Sequence, residues 1–381
     1  MNKVVENIKE IDVQQWADLI ADSAHGNFFQ SEAFYHLAVA STGFKPYLAQ
    51  VYEDDKLLGS LLAVKITESK GLKGFFSSRT VVYGGPIISN NVNSKHRIVN
   101  SLLSALCKSQ KSSIFIQFRN FFDLTEYKEV FEKHGFSLRD RLNFLVRLDT
   151  YEGVWKRMSE NRRRQLKGIQ EARGKTQDAR RKRQEARLKS MDHKGLESNV
   201  LNLESSILSL ASSILRPASG IEEVKSFYEI LYDLYRTKVR KPLPSWSFFE
   251  SFYQMTQEKP GSGIILLVLY DGDIIGGILC PISPGKTIYE WYVCGLDEQY
   301  KELSPSTLAT WAAMDYGLKN NIPQFDFMGV GTPNKPYGVR EFKRRFGGEM
   351  VNYGRYSRVN NKVMYFIAEV GYNLLALVNR I

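Results

Sequence analysis

A twelve-residue segment occurs twice in this chain, and it limits the possible folds more than any other feature. Val51–Leu62 aligns without gaps with Val268–Leu279. Each copy is an apolar strand, an acidic turn and a second apolar strand. The turns are Glu53-Asp54-Asp55-Lys56 and Asp271-Gly272-Asp273. Such a pattern predicts a β-hairpin. Gly59 and Gly276 stand at equivalent places early in the second strand, where a bulge or a close backbone approach calls for glycine. A helix precedes each copy, so the repeat predicts a duplicated α/β unit rather than one large sheet.

The flanking patterns agree. In the first half, Val13 to Ser23 reads as a helix, and Ser31 caps another through Phe34, Leu37 and Ala38. Strands are expected at Tyr47–Tyr52, Leu57–Ile66, Thr80–Tyr83 and Ser113–Phe118, with a helix over Lys95–Lys108. In the second half, helices are expected at Ile221–Lys238, Trp246–Gln257 and Ser306–Lys319, with strands at Thr287–Val293 and Gln324–Met328. The expected domains are residues 1–150 and 151–381. Between them, residues 175–215 form an insertion that opens with Arg180-Arg181-Lys182-Arg183 and continues with Leu201, Leu208 and Leu215 at heptad spacing. A helical hairpin and a partly disordered, loosely docked segment both fit it.

A chain of 381 residues with 43% hydrophobic content suits two globular domains and excludes a disordered protein. Its three cysteines show no metal-ligand spacing, which points to a reducing compartment. Glu6, Glu10, Asp12, Asp18 and Asp22 exclude a secretory signal at the start. The apolar stretch Val363–Ile381 is interrupted by Glu369, Gly371 and Asn373, and suits a packed or interfacial helix better than a membrane span. The expected location is cytoplasmic, with peripheral contact at the inner face of the cell membrane. Net charge is +11, concentrated between Lys156 and Lys194 and at Lys343-Arg344-Arg345. A charge so placed favours a polyanionic partner.

Several short motifs come in a fixed order. They are Phe29-Gln30-Ser31, Gly84-Gly85-Pro86, Asn161-Arg162-Arg163-Arg164, Lys238-Val239 with Pro242-Leu243-Pro244, and Phe325-Asp326-Phe327-Met328-Gly329 followed by Glu341-Phe342-Lys343-Arg344-Arg345-Phe346-Gly347. Together they resemble the FemABX family of peptidoglycan interpeptide-bridge aminoacyltransferases and related GNAT-like acyltransferases. The resemblance covers nearly the whole chain except about 175–215. It implies two GNAT-like domains facing a substrate channel. It also implies transfer of an amino acid from aminoacyl-tRNA to an amine of a peptidoglycan precursor, or of another lipid-linked or nucleotide-linked glycan. Two departures remove possible phosphate contacts from the first half: Gly84-Gly85-Pro86 stands where the family often has Arg-Gly-Pro, and no lysine or arginine lies between Glu32 and Ser41. The tRNA role of helical arms in some members is not carried onto residues 175–215, which sit elsewhere in the chain.

Aminolysis of an ester or thioester needs no protein nucleophile and no cofactor. The enzyme positions both substrates, accepts a proton and stabilises an oxyanion. A chain with no nucleophile elbow and five histidines is compatible with that. Lys343 and Asp326 are the catalytic candidates, Lys343 as a cation toward a phosphate or the acyl oxygen and Asp326 as orienting group or base. Glu290 is a further candidate base. Trp291 and Tyr292 are expected to line the channel. Arg162, Arg163, Arg164, Arg344 and Arg345 are candidate phosphate binders. Phe342 is a candidate substrate contact and, with Phe346, also suits a packing anchor. Gly276-Gly277 form no complete phosphate-binding loop, which disfavours acetyl-CoA. Two alternative functions remain: a GNAT-type enzyme acylating a polysaccharide or lipid-linked sugar from a CoA or carrier thioester, and a non-catalytic RNA- or membrane-binding protein.

Overall fold

Both copies of the repeated segment are β-hairpins, and both carry an irregularity at the same point of the register. In the computed structural model the shift falls between Val51 and Tyr52 in one and between Val268 and Leu269 in the other. The structure describes residues 3–6, 8–67, 78–90, 92, 94–168, 215–335 and 337–367. The expected insertion, apart from Leu215, and the C-terminal stretch after residue 367 lie outside the described residues.

The strands are β1 (Lys3–Val5), β2 (Phe44–Glu53), β3 (Lys56–Ile66), β4 (Arg79–Tyr83), β5 (Ile87–Ile88), β6 (Phe115–Arg119), β7 (Ser137–Arg139), β8 (Leu142–Arg147), β9 (Leu215–Pro217), β10 (Gly263–Tyr270), β11 (Asp273–Ser283), β12 (Thr287–Tyr289), β13 (Tyr292–Gly295), β14 (Gln324–Asp326), β15 (Glu349–Asn352) and β16 (Arg355–Val359). They form two eight-stranded sheets. One runs β1-β2-β3-β4-β6-β16-β7 with β5 beside β3; the other runs β9-β10-β11-β12-β14-β8-β15 with β13 beside β11. The two orders correspond place for place, so the duplication extends well beyond the hairpin. The fold is α/β.

In each sheet a parallel pair, β4 with β6 or β12 with β14, is bridged by a helix. These crossovers are Lys95–Ser109 and Pro305–Lys319. The first buries Ile98, Val99, Leu102, Leu103 and Leu106 on one stripe. That packing explains the repeated glycine. A Cβ on Gly59 would sit 2.5 Å from Ile98 Cγ2, and one on Gly276 would sit 2.7 Å from the Cys294 carbonyl oxygen.

Two strands depart from the expected boundary at residue 150. β8 precedes it in sequence but pairs with β14 and β15 in the second sheet, while β16 near the other end pairs with β6 and β7 in the first. The two halves therefore exchange one strand each. Other corrections are local. The expected strand Thr287–Val293 is split into β12 and β13, and Gln324–Met328 stops at Asp326. Lys343, for whose segment no element was expected, is carried by a helix, Gly338–Arg344.

The halves also share a core. Phe29 from the first half packs 4.9 Å from Trp291 and 5.3 Å from Tyr289, ring centre to ring centre. Lys286 donates from Nζ to the carbonyls of Ile20, Ala21 and Ser23 at the C-terminal end of helix Val13–Asp22, where a cation suits the helix dipole. Gln30 is fully buried and replaces a missing ladder partner: it bonds Leu62 N–H and the Leu62 and Tyr83 carbonyls. A Cβ on Gly85 would lie 2.6 Å from that Gln30 side chain, which ties the Phe29-Gln30-Ser31 and Gly84-Gly85-Pro86 motifs together sterically. Among the described residues, no helix is long and apolar enough to cross a membrane.

Candidate active site

The strand exchange leaves a cavity of about 850 Å³ between the halves. Its walls come from the ends of β4, β6, β8 and β16, the β12–β13 break, the loop after β14, and residues 241–245. Tyr235 joins them because helix Ile221–Leu234 ends in a π-helical turn, Tyr235–Val239, closed by a left-handed Arg240.

Asp326 organises the loop after β14. Met328 is left-handed at φ 56°, a conformation that costs a non-glycine residue about 1–2 kcal/mol. Its N–H donates to Asp326 Oδ1 at 2.6 Å, and Asn143 Nδ2 donates to the same oxygen at 2.7 Å. Asn143 Oδ1 in turn accepts the Gly329 N–H at 2.6 Å. Asp326 is 1% exposed and does not line the cavity. Burial pushes its carboxyl up to about 6, against the pull of these two hydrogen bonds. Its position is that of a residue holding the loop.

The loop presents two carbonyls to Lys343, whose Nζ donates to Phe327 O at 2.6 Å and to Gly329 O at 3.4 Å. The same ammonium lies 2.9 Å from Glu290 Oε1. That contact is a buried ion pair, and Lys343 is the partner of Oε1 among the described residues. Thr310 Oγ1 donates to the other oxygen, Oε2, at 3.2 Å. Glu290 sits in the β12–β13 break and lines the cavity with Lys343. Burial raises its carboxyl above the ordinary glutamate range, and Lys343 and Thr310 pull it back. Such a carboxylate, buried beside the cavity with its proton affinity raised, is equipped to take a proton. Cys280 and Cys294 are buried, and burial pushes both thiols up, which rules them out as nucleophiles near neutral pH.

Of the residues named from sequence, Lys343, Glu290, Trp291 and Tyr292 meet at the cavity. The others lie elsewhere. Arg162 is buried between the rings of Phe342 and Phe346, 4.7 and 4.2 Å from their centres. It donates to Gln165, Thr307 and the Phe342 carbonyl. Arg162 and Phe342 thus brace the helix that carries Lys343. Arg164 pairs with Glu160, and Arg344 and Arg345 pair with Glu341, all on the surface; Arg163 is half-buried and also off the cavity. Apart from Lys343, sequence reading missed the cavity's own cations. Among the described lining residues, Arg79, Arg119, Arg141, Lys241, Lys343 and Arg355 face a single acid, Glu290.

Residues 205–344 match a family model described as an acetyltransferase (GNAT) domain. Among solved structures, FemX aligns with a TM-score of 0.63 at 13% identity, over 96% of this chain and 99% of FemX. The chain has the FemX-like tandem GNAT fold. A tandem GNAT protein from the clavulanic acid biosynthesis pathway aligns at 0.54 and 10% identity, over 95% and 99% of the two chains. A conserved protein of unknown function from Bacteroides thetaiotaomicron VPI-5482 aligns at 0.50 and 8%, over 93% and 99%. A search of curated proteins finds no match. In this tandem GNAT fold the second half, which holds Glu290 and Lys343, is the part matched by the GNAT domain model.

The division of labour between Asp326 and Glu290 is testable. Asp326→Asn keeps an oxygen that accepts both hydrogen bonds, so it is expected to fold and to retain activity within a few-fold. Asp326→Ala strands the Met328 N–H and the Asn143 amide, at about 1–3 kcal/mol for each unsatisfied group. The pH dependence has a definite sign. Between the ordinary aspartate value of 3.8 and about 6, the folded chain holds a proton that the unfolded chain releases. Stability from this group is therefore present below 3.8 and lost as pH rises through 6. Urea midpoints from pH 4 to 8 should show that loss in the wild type and not in Asp326→Asn. A folded but inactive Asp326→Asn would make Asp326 the base.

Proposed function

We propose that this protein transfers an aminoacyl group from charged tRNA to an amine of a peptidoglycan precursor. The observation that carries this reading is Glu290, a buried carboxylate at the cavity paired with Lys343, with no cysteine or histidine among the described lining residues. The amine nitrogen attacks the ester carbonyl carbon, forming the C–N bond and a tetrahedral oxyanion. Glu290 takes the proton from the amine. When the oxyanion collapses, the C–O bond to the tRNA ribose breaks and the proton passes to the leaving oxygen. The basic wall lowers the energy of the oxyanion and holds the negatively charged substrates.

A second observation weighs against a CoA donor in the second half. The N-terminus of helix Pro305–Lys319 would otherwise suit a diphosphate. Its Ser306 N–H instead donates to the chain's own Asp297 carboxylate at 3.0 Å, and an incoming phosphate there would meet like charge.

The purified protein, incubated with a charged tRNA mixture and a nucleotide-linked muramyl peptide, is expected to add one amino acid to the peptide by mass. A gene deletion should remove that amino acid from the muropeptides of the source bacterium. Acyl transfer from a CoA thioester to a glycan, with an unchanged muropeptide profile, would overturn the reading.

A further inference from the structure

Three arginines of the cavity have no part in the proton transfer, and the strand exchange is what brings them together. Arg119 ends β6, Arg141 immediately precedes β8, and Arg355 opens β16. Their segments are stitched by two hydrogen bonds. The Arg141 N–H donates to Asn352 Oδ1 at 3.0 Å, and Asn120 Nδ2 donates to the Tyr353 carbonyl at 2.8 Å.

Their guanidiniums find little compensation within the protein. Arg119 reaches Tyr83 Oη at 3.2 Å and Gln117 Oε1 at 3.5 Å, and its guanidinium carbon lies 5.0 Å from the Tyr83 ring centre. Arg355 reaches the same Gln117 oxygen, also at 3.5 Å. Among the described residues, the Arg141 side chain has no acceptor, and none of the three pairs with a carboxylate. Burial, and then the neighbouring arginines, depress the affinity of Arg141 and Arg355 for their protons. Arg157, by contrast, is matched by Asp149. Like charges gathered in a cavity destabilise the free protein, and a bound anion is what offsets them.

We propose that Arg119, Arg141 and Arg355 bind the diphosphate of a carrier-linked glycan acceptor. The assignment rests on the acceptor class proposed above. Guanidinium forks match phosphoryl oxygens in pairs, and three of them suit a multiply charged diphosphate better than one carboxylate. A cavity of about 850 Å³ takes a small ligand rather than a folded nucleic acid. The position also fits. Arg355 Nη2 lies 3.7 Å from where a Cβ on Gly329 would be, and the Gly329 carbonyl is one of the two that hold Lys343. A diphosphate held there sits beside the reacting pair, with Tyr83, Trp291 and Tyr292 available to stack on a sugar ring.

The test is binding of inorganic pyrophosphate at low ionic strength, read by calorimetry and thermal shift without turnover. Wild-type protein should bind and melt higher with pyrophosphate. Arg141→Gln and Arg355→Gln should each bind about tenfold more weakly or worse, the loss of roughly one charge-assisted contact. Without ligand, both should melt no lower than wild type, because each removes a repelling charge. Arg164→Gln, on the surface, should bind as wild type does. Displacement of pyrophosphate by a nucleotide-diphosphate sugar assigns a soluble acceptor, and displacement by a polyprenyl-diphosphate sugar in micelles assigns a lipid-linked one. Absence of pyrophosphate binding by wild type, or equal binding by the glutamine variants, overturns the site. Displacement by CoA but by neither sugar overturns the acceptor assignment. Arginine-dependent binding with unchanged muropeptides would sink the transfer reading and leave the site standing.

Discussion

Glu290→Gln is expected to lower kcat for acyl transfer by about two to four orders of magnitude, the range for losing a general base, while the protein stays folded. The substitution preserves shape and can keep the local hydrogen bonds. The single Thr310 hydroxyl proton has two acceptors within reach, Glu290 Oε2 at 3.2 Å and the Ser306 carbonyl at 3.1 Å. With glutamine it donates to Ser306 and accepts from the new amide. What is lost is the capacity to take a proton. Binding of donor and acceptor depends on other walls, so KM should move by no more than a few-fold. The pH profile gives an independent check. A base works ionised, and burial raises the Glu290 carboxyl above the ordinary range. Wild-type activity should therefore fall as pH drops through a value higher than that of a free glutamate. The residual activity of Glu290→Gln should lack that limb. A variant that keeps more than a tenth of the rate, with the acid limb intact, would remove Glu290 from the mechanism.

The fold was legible where local sequence decides it. The hairpins show themselves by alternation and by the acidic turn, and Gly59 and Gly276 mark the close approach that the crossover helix or the neighbouring strand imposes. The exchange of β8 and β16 was not legible. Leu142–Arg147 alternates like any half-buried strand, and nothing in it specifies which of two similar sheets it will join; pairing with β14 and β15 is settled by contacts distant in sequence. The site divided along the same line. Lys343 lies in a continuous motif and Trp291 and Tyr292 in one expected strand, and they reach the cavity together. Arg119, Arg141 and Arg355 are separated in sequence and form a group only after the strands cross. Arg162 misled because it was counted as a charge. The signal that would have corrected this was Phe342 and Phe346, four residues apart, one ring from the helix Gly338–Arg344 and one from the turn that ends it, both available to one guanidinium.

Lys343→Ala is expected to destabilise the protein by about 3–5 kcal/mol at neutral pH, the usual effect of removing one partner of a buried ion pair. The two side chains are 10% and 2% exposed, so solvent screens the pair very little. Removing the lysine leaves Glu290 buried without its cation and leaves the Phe327 and Gly329 carbonyls without a donor. Those two consequences separate by pH. With the cation gone, the Glu290 carboxyl rises further, and the folded variant holds a proton over a range where the unfolded chain has released it. The penalty from the stranded charge is then small below the unfolded glutamate value, 4.5, and grows as pH rises toward the folded one. The penalty from the carbonyls does not change with pH. Urea midpoints should therefore show a larger loss for Lys343→Ala at pH 8 than at pH 5. Adding Glu290→Gln to Lys343→Ala should recover the pH-dependent part and none of the activity. An equal loss at both pH values, or a double variant no more stable than the single one, would mean that Lys343 holds only the loop and that Glu290 does not depend on it for its charge.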